Sequence, residues 1–280
     1  VAVVTHLKSR EIIMNYFSRS YLKNSGEKIF GLMHLPPEQL MYRVVPHFLG
    51  EIAKKYFRLE IEGIENIPRR GPALITPNHS GYAGIDAFLL AHEISKATHR
   101  VPRVLAHHLW FLTKATSIPA EKSGLIEATM ENGLQALKKN NLVALFPEGE
   151  YGNFKPSSKR YQLQEFKRGF VRLALMRQCP IVPTIILGAE ETHINLASLK
   201  FTKYLRGVVL PLPLNVIPLP AKWKIIFLEP ILLPYNAEAA NDRELVREIS
   251  QDIRERMQFA ISEELKKRGS IFLPHKAGHL

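Results

Sequence analysis

The sequence predicts an α/β protein, a mostly parallel sheet covered by helices on both sides, with helices ahead of it and a long helix at its end. Three observations carry that expectation. Short apolar runs of strand length recur along the chain: "ALIT" at 73–76, "RVLA" at 103–106, "LVALF" at 142–146 and "PIVPTIILG" at 180–188. Helical periodicity lies between them, and such alternation marks parallel strands joined by crossover helices. The 280 residues are 46% apolar and 23% charged, a composition that can bury a real core.

The elements follow in order. Residues 9–23 and 38–56 read as helices, and Pro46 in the second predicts a kink, because proline removes a backbone donor. Residues 57–62, "FRLEIE", alternate as a half-exposed strand does. The strand at 73–76 stops at Pro77, and a helix resumes at 86–93. After the strand at 103–106, residues 123–139 read as a helix with Met130, Leu134 and Leu137 on one face. The strand at 142–146 runs into "PEGEYGNFKPSSKRY", expected as a loop. A helix at 165–178 precedes the strand at 180–188, where Pro183 lacks a ladder donor and points to a strand edge or bulge near a site. Residues 207–221, broken by four prolines, read as an irregular apolar loop; a strand at 223–231 and a charged helix at 238–268 complete the chain. The expected division is a helical segment at 1–56, an α/β domain at 57–235, and a C-terminal helix and tail at 236–280 packing on that domain.

A formal charge of +12 is usually a solvated surface; where it is functional it points to nucleic acid, anionic lipid or an anionic substrate. The basic residues are scattered and no nucleic-acid reading motif occurs, so no nucleic-acid partner is expected. Cys179 is the single cysteine, which rules out an intrachain disulfide and fits a reducing compartment. The start of the chain carries charges where a secretory signal would be apolar, and no run reaches the ~18 apolar residues of a spanning helix. There is no Gly-x-Ser-x-Gly elbow and no nucleotide-type phosphate loop. His107 and His108 adjoin each other, a poor spacing for a shared metal, and are expected to be structural.

Two stretches that directly follow apolar strands could carry chemistry, since sites in such sheets gather at the carboxyl ends of strands. In "PNHSGYAGIDAFLLAH", His79 and Asp86 lie seven positions apart with Gly81 and Gly84 between them. An imidazole can take a proton from a hydroxyl, and a carboxylate on its other nitrogen fixes the tautomer and stabilises the imidazolium. The plainer reading makes Asp86 a helix cap and His79 a surface histidine. In "LVALFPEGEYG", Glu148 could accept hydrogen bonds from a polyol or orient its loop, and Gly149 would let backbone approach a ligand. The plainer reading is a turn with a solvated carboxylate.

Taken together, "NHS…D", "FPEG" 69 residues after the histidine, and "IVP" further on resemble the glycerolipid acyltransferase superfamily of the 1-acylglycerol-3-phosphate acyltransferases, over roughly 63–234. The stretch 161–192 looks most like its diacylglycerol-acyltransferase-like branch. The resemblance implies that His79 is the catalytic base and Asp86 its partner. It implies substrate-binding positions at Asn78, at Phe146, Pro147, Glu148 and Gly149, and at Val182 and Pro183 beside the acyl chain. The family's middle block is poorly kept: "TSIPAEKS" at 116–123 lacks the usual arginine, and Lys122 is the candidate substitute. The family pattern leaves four residues between His and Asp; here there are six, so the loop must bulge. Lysophosphatidate enzymes follow "FPEG" with Thr-Arg-Ser, whereas this chain has Glu150, Tyr151 and Gly152, which weakens the case for an acidic acceptor. Lys155, Lys159 and Arg160 lie just beyond.

The implied activity is O-acyl transfer from acyl-CoA or acyl carrier protein to a glycerolipid hydroxyl in phospholipid biosynthesis, with no cofactor and no metal. The alternatives are a diacylglycerol or other neutral-lipid acceptor, or a catalytically inactive lipid-binding member. The implied location is an anionic membrane surface at the cytoplasmic face, with peripheral or monotopic attachment. Before residue 57, Ile12, Ile13, Tyr16, Phe17, Leu40, Val44 and Phe48 stand beside Lys8, Arg10, Arg19 and Lys23, which suits helices in an interface. The second of these helices equally suits packing on the core.

Overall fold

The computed structural model describes residues 35–80, 84–201 and 208–272, without the side chains of 198–201 and 208–211. The helix expected at 9–23 lies outside the described residues. The chain divides into two compact units, Val1–Phe48 and Leu49–Leu280. In the first, a short helical turn at Pro37–Gln39 leads into a π-wound turn, Leu40–Val44. The chain then enters α1, Val45–Tyr56. Pro46 falls in the first turn of α1, and a wide turn lies just ahead of it, in which the Val45 N–H reaches back to the Leu40 carbonyl.

Among the described residues of the second unit, seven strands form one sheet. They are β1 (Glu60–Glu62), β2 (Ala73–Pro77), β3 (Arg103–Ala106), β4 (Leu125–Glu127), β5 (Leu142–Ala144), β6 (Ile181–Leu187) and β9 (Lys224–Phe227). Their order is β1-β9-β6-β2-β5-β3-β4. Every neighbouring pair is parallel except β6 with β9, which is antiparallel. β7 (Asn195–Phe201) and β8 (Val208–Pro213) form a separate antiparallel ribbon.

Successive residues of a strand face opposite sides, and both sides of this sheet are covered. Leu74, Val143, Ile181 and Ile185 point to one face. There they meet Leu137 of α4 (Met130–Lys138), Phe170 and Leu173 of α5 (Gly169–Arg177), and Ile253, Met257 and Ile261 of α6 (Arg243–Lys267). Ala73, Ile75, Ala144, Val182 and Ile186 point to the other, against Leu89, Leu90 and Ile94 of α2 (Ile85–Thr98) and against Phe57 and Trp223. The Phe57 and Trp223 rings stack with centroids 4.6 Å apart. Each large apolar side chain buried in this way contributes about 1.5–3 kcal/mol.

Three local readings are corrected, and one stretch acquires an element the sequence did not assign. Residues 123–139 are not one helix: β4 pairs with β3 first, and α4 begins at Met130 because the Thr129 side chain accepts from the Asn132 N–H and caps it. Residues 114–122, part of which was read as the poorly kept block, form α3 (Lys114–Lys122) with Pro119 inside it. The tract at 207–221 contains β8, whose prolines are tolerated because a two-stranded ribbon leaves each strand an unpaired side. Pro183 sits in a central, unbulged strand. Its carbonyl accepts from Leu228 N at 2.9 Å, so its missing donor faces the β9 side, beyond the last register pair Thr184↔Phe227.

Candidate active site

His79 lies two residues beyond β2 and Glu148 four beyond β5, and these strands are parallel neighbours. Both residues therefore emerge at one edge of the sheet, its carboxyl edge. α2 starts after Gly84, which brings Asp86 into the first turn of a helix. The His79 Nδ1–H donates to Asp86 Oδ2 at 2.7 Å, so the six-residue gap is bridged. The same oxygen accepts from the Ser80 N–H at 3.0 Å, and Oδ1 accepts from Ala87 N–H at 2.8 Å. Residues 81–83, including Gly81, lie outside the described residues.

Asp86 is fully buried, while the His79 side chain keeps 16% exposure. Burial by itself would raise the Asp86 pKa, but the His79 ring and the backbone donors of Ser80 and Ala87 outweigh it and hold the carboxyl below its ordinary value. An ionised Asp86 keeps the hydrogen on Nδ1, which leaves the lone pair on Nε2.

Glu148 is also fully buried. Its Oε1 accepts from the His79 backbone N–H at 3.0 Å and its Oε2 from Gln164 N–H at 2.7 Å. Of the two roles considered for it, orienting a loop is the one the geometry displays. Lys155 Nζ lies 3.7 Å from Oε2 and balances the charge. Gly152 packs so closely on Glu148 that an added Cβ would lie 2.5 Å from Glu148 Cβ. Gly149 adopts φ 59° and ψ −147°, a backbone conformation that only glycine takes readily. Phe146 lays its ring against the His79 imidazole, centroids 4.2 Å apart. The buried Pro147 accepts from Lys167 N–H through its carbonyl.

The remaining candidates are placed differently. Asn78 is fully buried and mimics a strand: its Nδ2 donates to the Ile186 carbonyl and its Oδ1 accepts from Ile186 N–H. It braces the loop against β6. Val182 and Pro183 are buried in β6, Val182 within the core. Lys122 is exposed at the end of α3, three residues before β4 begins. That is the amino edge of the sheet, opposite His79, because β4 runs parallel to β3, β5 and β2. Lys122 is therefore set away from the site as a substitute for the absent arginine.

Sequence reasoning passed over several neighbours. Lys155, read as one of three cations beyond the block, is buried and pairs with Glu190 at 2.8 Å. Burial raises the Glu190 pKa to about 7 against the opposing pull of Lys155. His107 is not remote: its Nε2 lies 3.6 Å from Glu150 Oε2. Its pKa is lowered by burial and by the neighbouring His108. No short-range pattern announces these contacts, because they join residues from separate loops.

A buried carboxylate behind an imidazole, at the carboxyl edge of a mostly parallel sheet, is the equipment of an α/β enzyme that takes a proton from a hydroxyl. The chain belongs to the acyltransferase family, whose model matches residues 58–187. The uncharacterized protein Rv0502 of Mycobacterium tuberculosis is 36% identical over 248 residues, covering 81% of this chain and 69% of that one. The human DGAT1/2-independent enzyme synthesizing storage lipids is 26% identical over 146 residues, 52% of this chain and 45% of that one. The crystal structure of the 1-acyl-sn-glycerophosphate (LPA) acyltransferase PlsC from Thermotoga maritima shares the fold, with a TM-score of 0.57. At 17% identity it covers 93% of this chain and 95% of that one.

Proposed function

We propose that the protein is an O-acyltransferase that moves a fatty acyl group from an acyl thioester, acyl-CoA or acyl carrier protein, to a hydroxyl of a glycerolipid. The observation that carries this reading is the 2.7 Å contact from His79 Nδ1 to a buried, ionised Asp86 at the carboxyl edge of the sheet. His79 Nε2 takes the proton of the acceptor hydroxyl as its oxygen attacks the thioester carbonyl. The tetrahedral intermediate collapses with loss of thiolate, which recovers the proton from the imidazolium. The ester forms as the thioester breaks, and the reading assigns no metal or cofactor. Purified protein is expected to release free coenzyme A from a long-chain acyl-CoA only when a lipid acceptor is supplied. Release that is equally fast without acceptor, or absent with every glycerolipid tried, would overturn the proposal.

A second acceptor class, diacylglycerol or another neutral lipid alcohol, is favoured by the likeness to a protein named for storage-lipid synthesis. The reading as an inactive lipid binder draws its support from the six-residue gap, which the His79–Asp86 contact closes.

We infer, from the lipid nature of the proposed acceptor and product, that the enzyme works at an anionic membrane surface, attached peripherally or monotopically on its cytoplasmic face. No helix among the described residues is long and apolar enough to cross a membrane. α1 turns Ala53 toward the core but exposes Leu49, Ile52 and Tyr56. The Tyr56 hydroxyl donates to the Pro218 carbonyl, beside the exposed Leu214, Val216 and Ile217. This apolar surface suits insertion among lipids, and basic side chains add about 1 kcal/mol each near an anionic surface. Liposome flotation is expected to rise with anionic lipid, to weaken without vanishing at high salt, and to fall when residues 1–36 are removed. Protein that stays unbound to anionic liposomes at low salt would show that the acceptor arrives as a soluble molecule.

A further inference from the structure

Both oxygens of the fully buried Glu148 are taken by backbone donors, the His79 N–H at 3.0 Å and the Gln164 N–H at 2.7 Å. Accepting at both oxygens suits the charged carboxylate. Burying such a charge is costly unless a cation stands beside it. That cation is Lys155, whose Nζ lies 3.7 Å from Glu148 Oε2 and whose side chain is 4% exposed. Lys155 is held in place from behind, by Glu190 at 2.8 Å and by the Gln162 carbonyl at 3.1 Å. Glu190 belongs to the helical turn Ala189–Thr192 that follows β6, and its Oε2 accepts from the Tyr161 N–H at 2.6 Å. A line of contacts thus runs from the end of β6, through Glu190, Lys155 and Glu148, to the backbone of His79.

The ammonium faces two carboxylates, and they do not claim it equally. Burial raises the Glu190 pKa to about 7, so near neutral pH this carboxyl is only partly charged. The Lys155 charge that Glu190 leaves unmatched acts on Glu148 across a buried gap, where attraction is weakly screened. Also near this stretch are Lys167, whose Nζ would lie 2.8 Å from a Cβ added to Gly149, and Glu150, whose carboxylate faces His107.

We propose that Lys155 is a positioning residue for acyl transfer, with Glu190 as its anchor: the pair fixes the Glu148 carboxylate, which fixes the His79 backbone and so the reach of the imidazole toward the acceptor hydroxyl. The inference rests on the acyl-transfer reading above. Lys155 and Glu190 act through Glu148 and do not meet the reacting atoms. The Asp86 contact holds the ring at Nδ1, but the place of the whole residue depends on the amide that Glu148 grips. A carboxylate that tilts or takes up a proton loosens that grip and lets the imidazole drift from the acceptor.

Removing Lys155 alone would leave two buried carboxylates facing each other, so the test uses the double variant Lys155→Met/Glu190→Gln. Uncharged side chains of similar size commonly replace a buried ion pair without loss of fold. The double variant is expected to lose about ten- to a hundredfold in kcat for acceptor-dependent release of coenzyme A, the scale of a displaced catalytic group, with KM for the acceptor little altered. The acid limb of its kcat profile should move to higher pH, because a buried carboxylate deprived of its cation takes up a proton more readily. Lys155→Arg keeps the charge and should retain most of the rate with the wild-type acid limb. A folded double variant with wild-type kcat and an unmoved acid limb would overturn the proposal and leave the three charges as balance for the fold alone. The His79 backbone amide proton, followed by nuclear magnetic resonance, gives a readout that needs no turnover. A hydrogen bond to a charged carboxylate holds this signal downfield; it should move upfield in the double variant. Glu190→Gln, a milder change that keeps an acceptor for the Tyr161 N–H, should shift the same signal by freeing Lys155 toward Glu148. An amide signal identical in wild type and both variants rejects the positioning role, whatever the turnover. A signal that shifts as expected while no form transfers acyl groups supports the positioning of His79 and faults the transferase reading instead.

Discussion

His79→Ala is expected to keep the native fold, at some cost in stability, and to lose about two to four orders of magnitude in acceptor-dependent release of coenzyme A, the usual worth of a general base. The side chain is partly exposed and its ring contacts Phe146, so truncation removes little packing. The backbone N–H that Glu148 holds is untouched by the substitution. Thermal unfolding monitored by circular dichroism should stay cooperative at a lowered midpoint, because the buried Asp86 loses its ring partner, while the rate collapses. A folded His79→Ala protein with wild-type turnover would sink the mechanism.

The second large effect is at Asp86. Asp86→Asn keeps the shape but replaces an acceptor-only group by an amide, which no longer enforces the Nδ1–H tautomer or stabilises the imidazolium. A loss of about a hundredfold or more in turnover is expected, with KM for the acceptor little altered. This substitution also tests the electrostatics. The folded-state carboxyl lies below its ordinary value, so its contribution to stability is fully present above the unfolded value, about pH 4, and is lost as pH falls through the lowered folded value. The stability gap between wild type and Asp86→Asn, followed by denaturant titration from pH 6 downward, should shrink only in that acid range. Full activity in Asp86→Asn would mean that another group orients the imidazole.

The parallel core of the fold was legible because its strands are continuous apolar runs, the pattern of strands buried on both faces. "ALIT" and "PIVPTIILG" announced β2 and β6 almost to the residue. β4 escaped because its three residues adjoin a helix, and only the Thr129 cap separates the two. The β7–β8 ribbon escaped because its prolines read as loop punctuation when judged without a partner strand. At the site, His79 and Asp86 were visible as a pair within one short stretch. The duties of Glu148 and Lys155 were not, since each depends on a loop from another strand. Lys122 was chosen for its charge and its place in the chain order, and topology set it at the opposite edge of the sheet.

The grip of Glu148 on the His79 amide has a consequence for how this loop can change over time. The imidazole is located from the adjacent strand, 69 residues away in the chain, and not by the length of the segment that follows it. Asp86 is located by the start of α2, where its Oδ1 also accepts from the Ala87 amide. With His79 and Asp86 each held by a contact outside the segment that joins them, the length of that segment does not set their positions. Insertions between the two can therefore accumulate without moving either end. A chain with six intervening residues can thus keep the same pair as one with four.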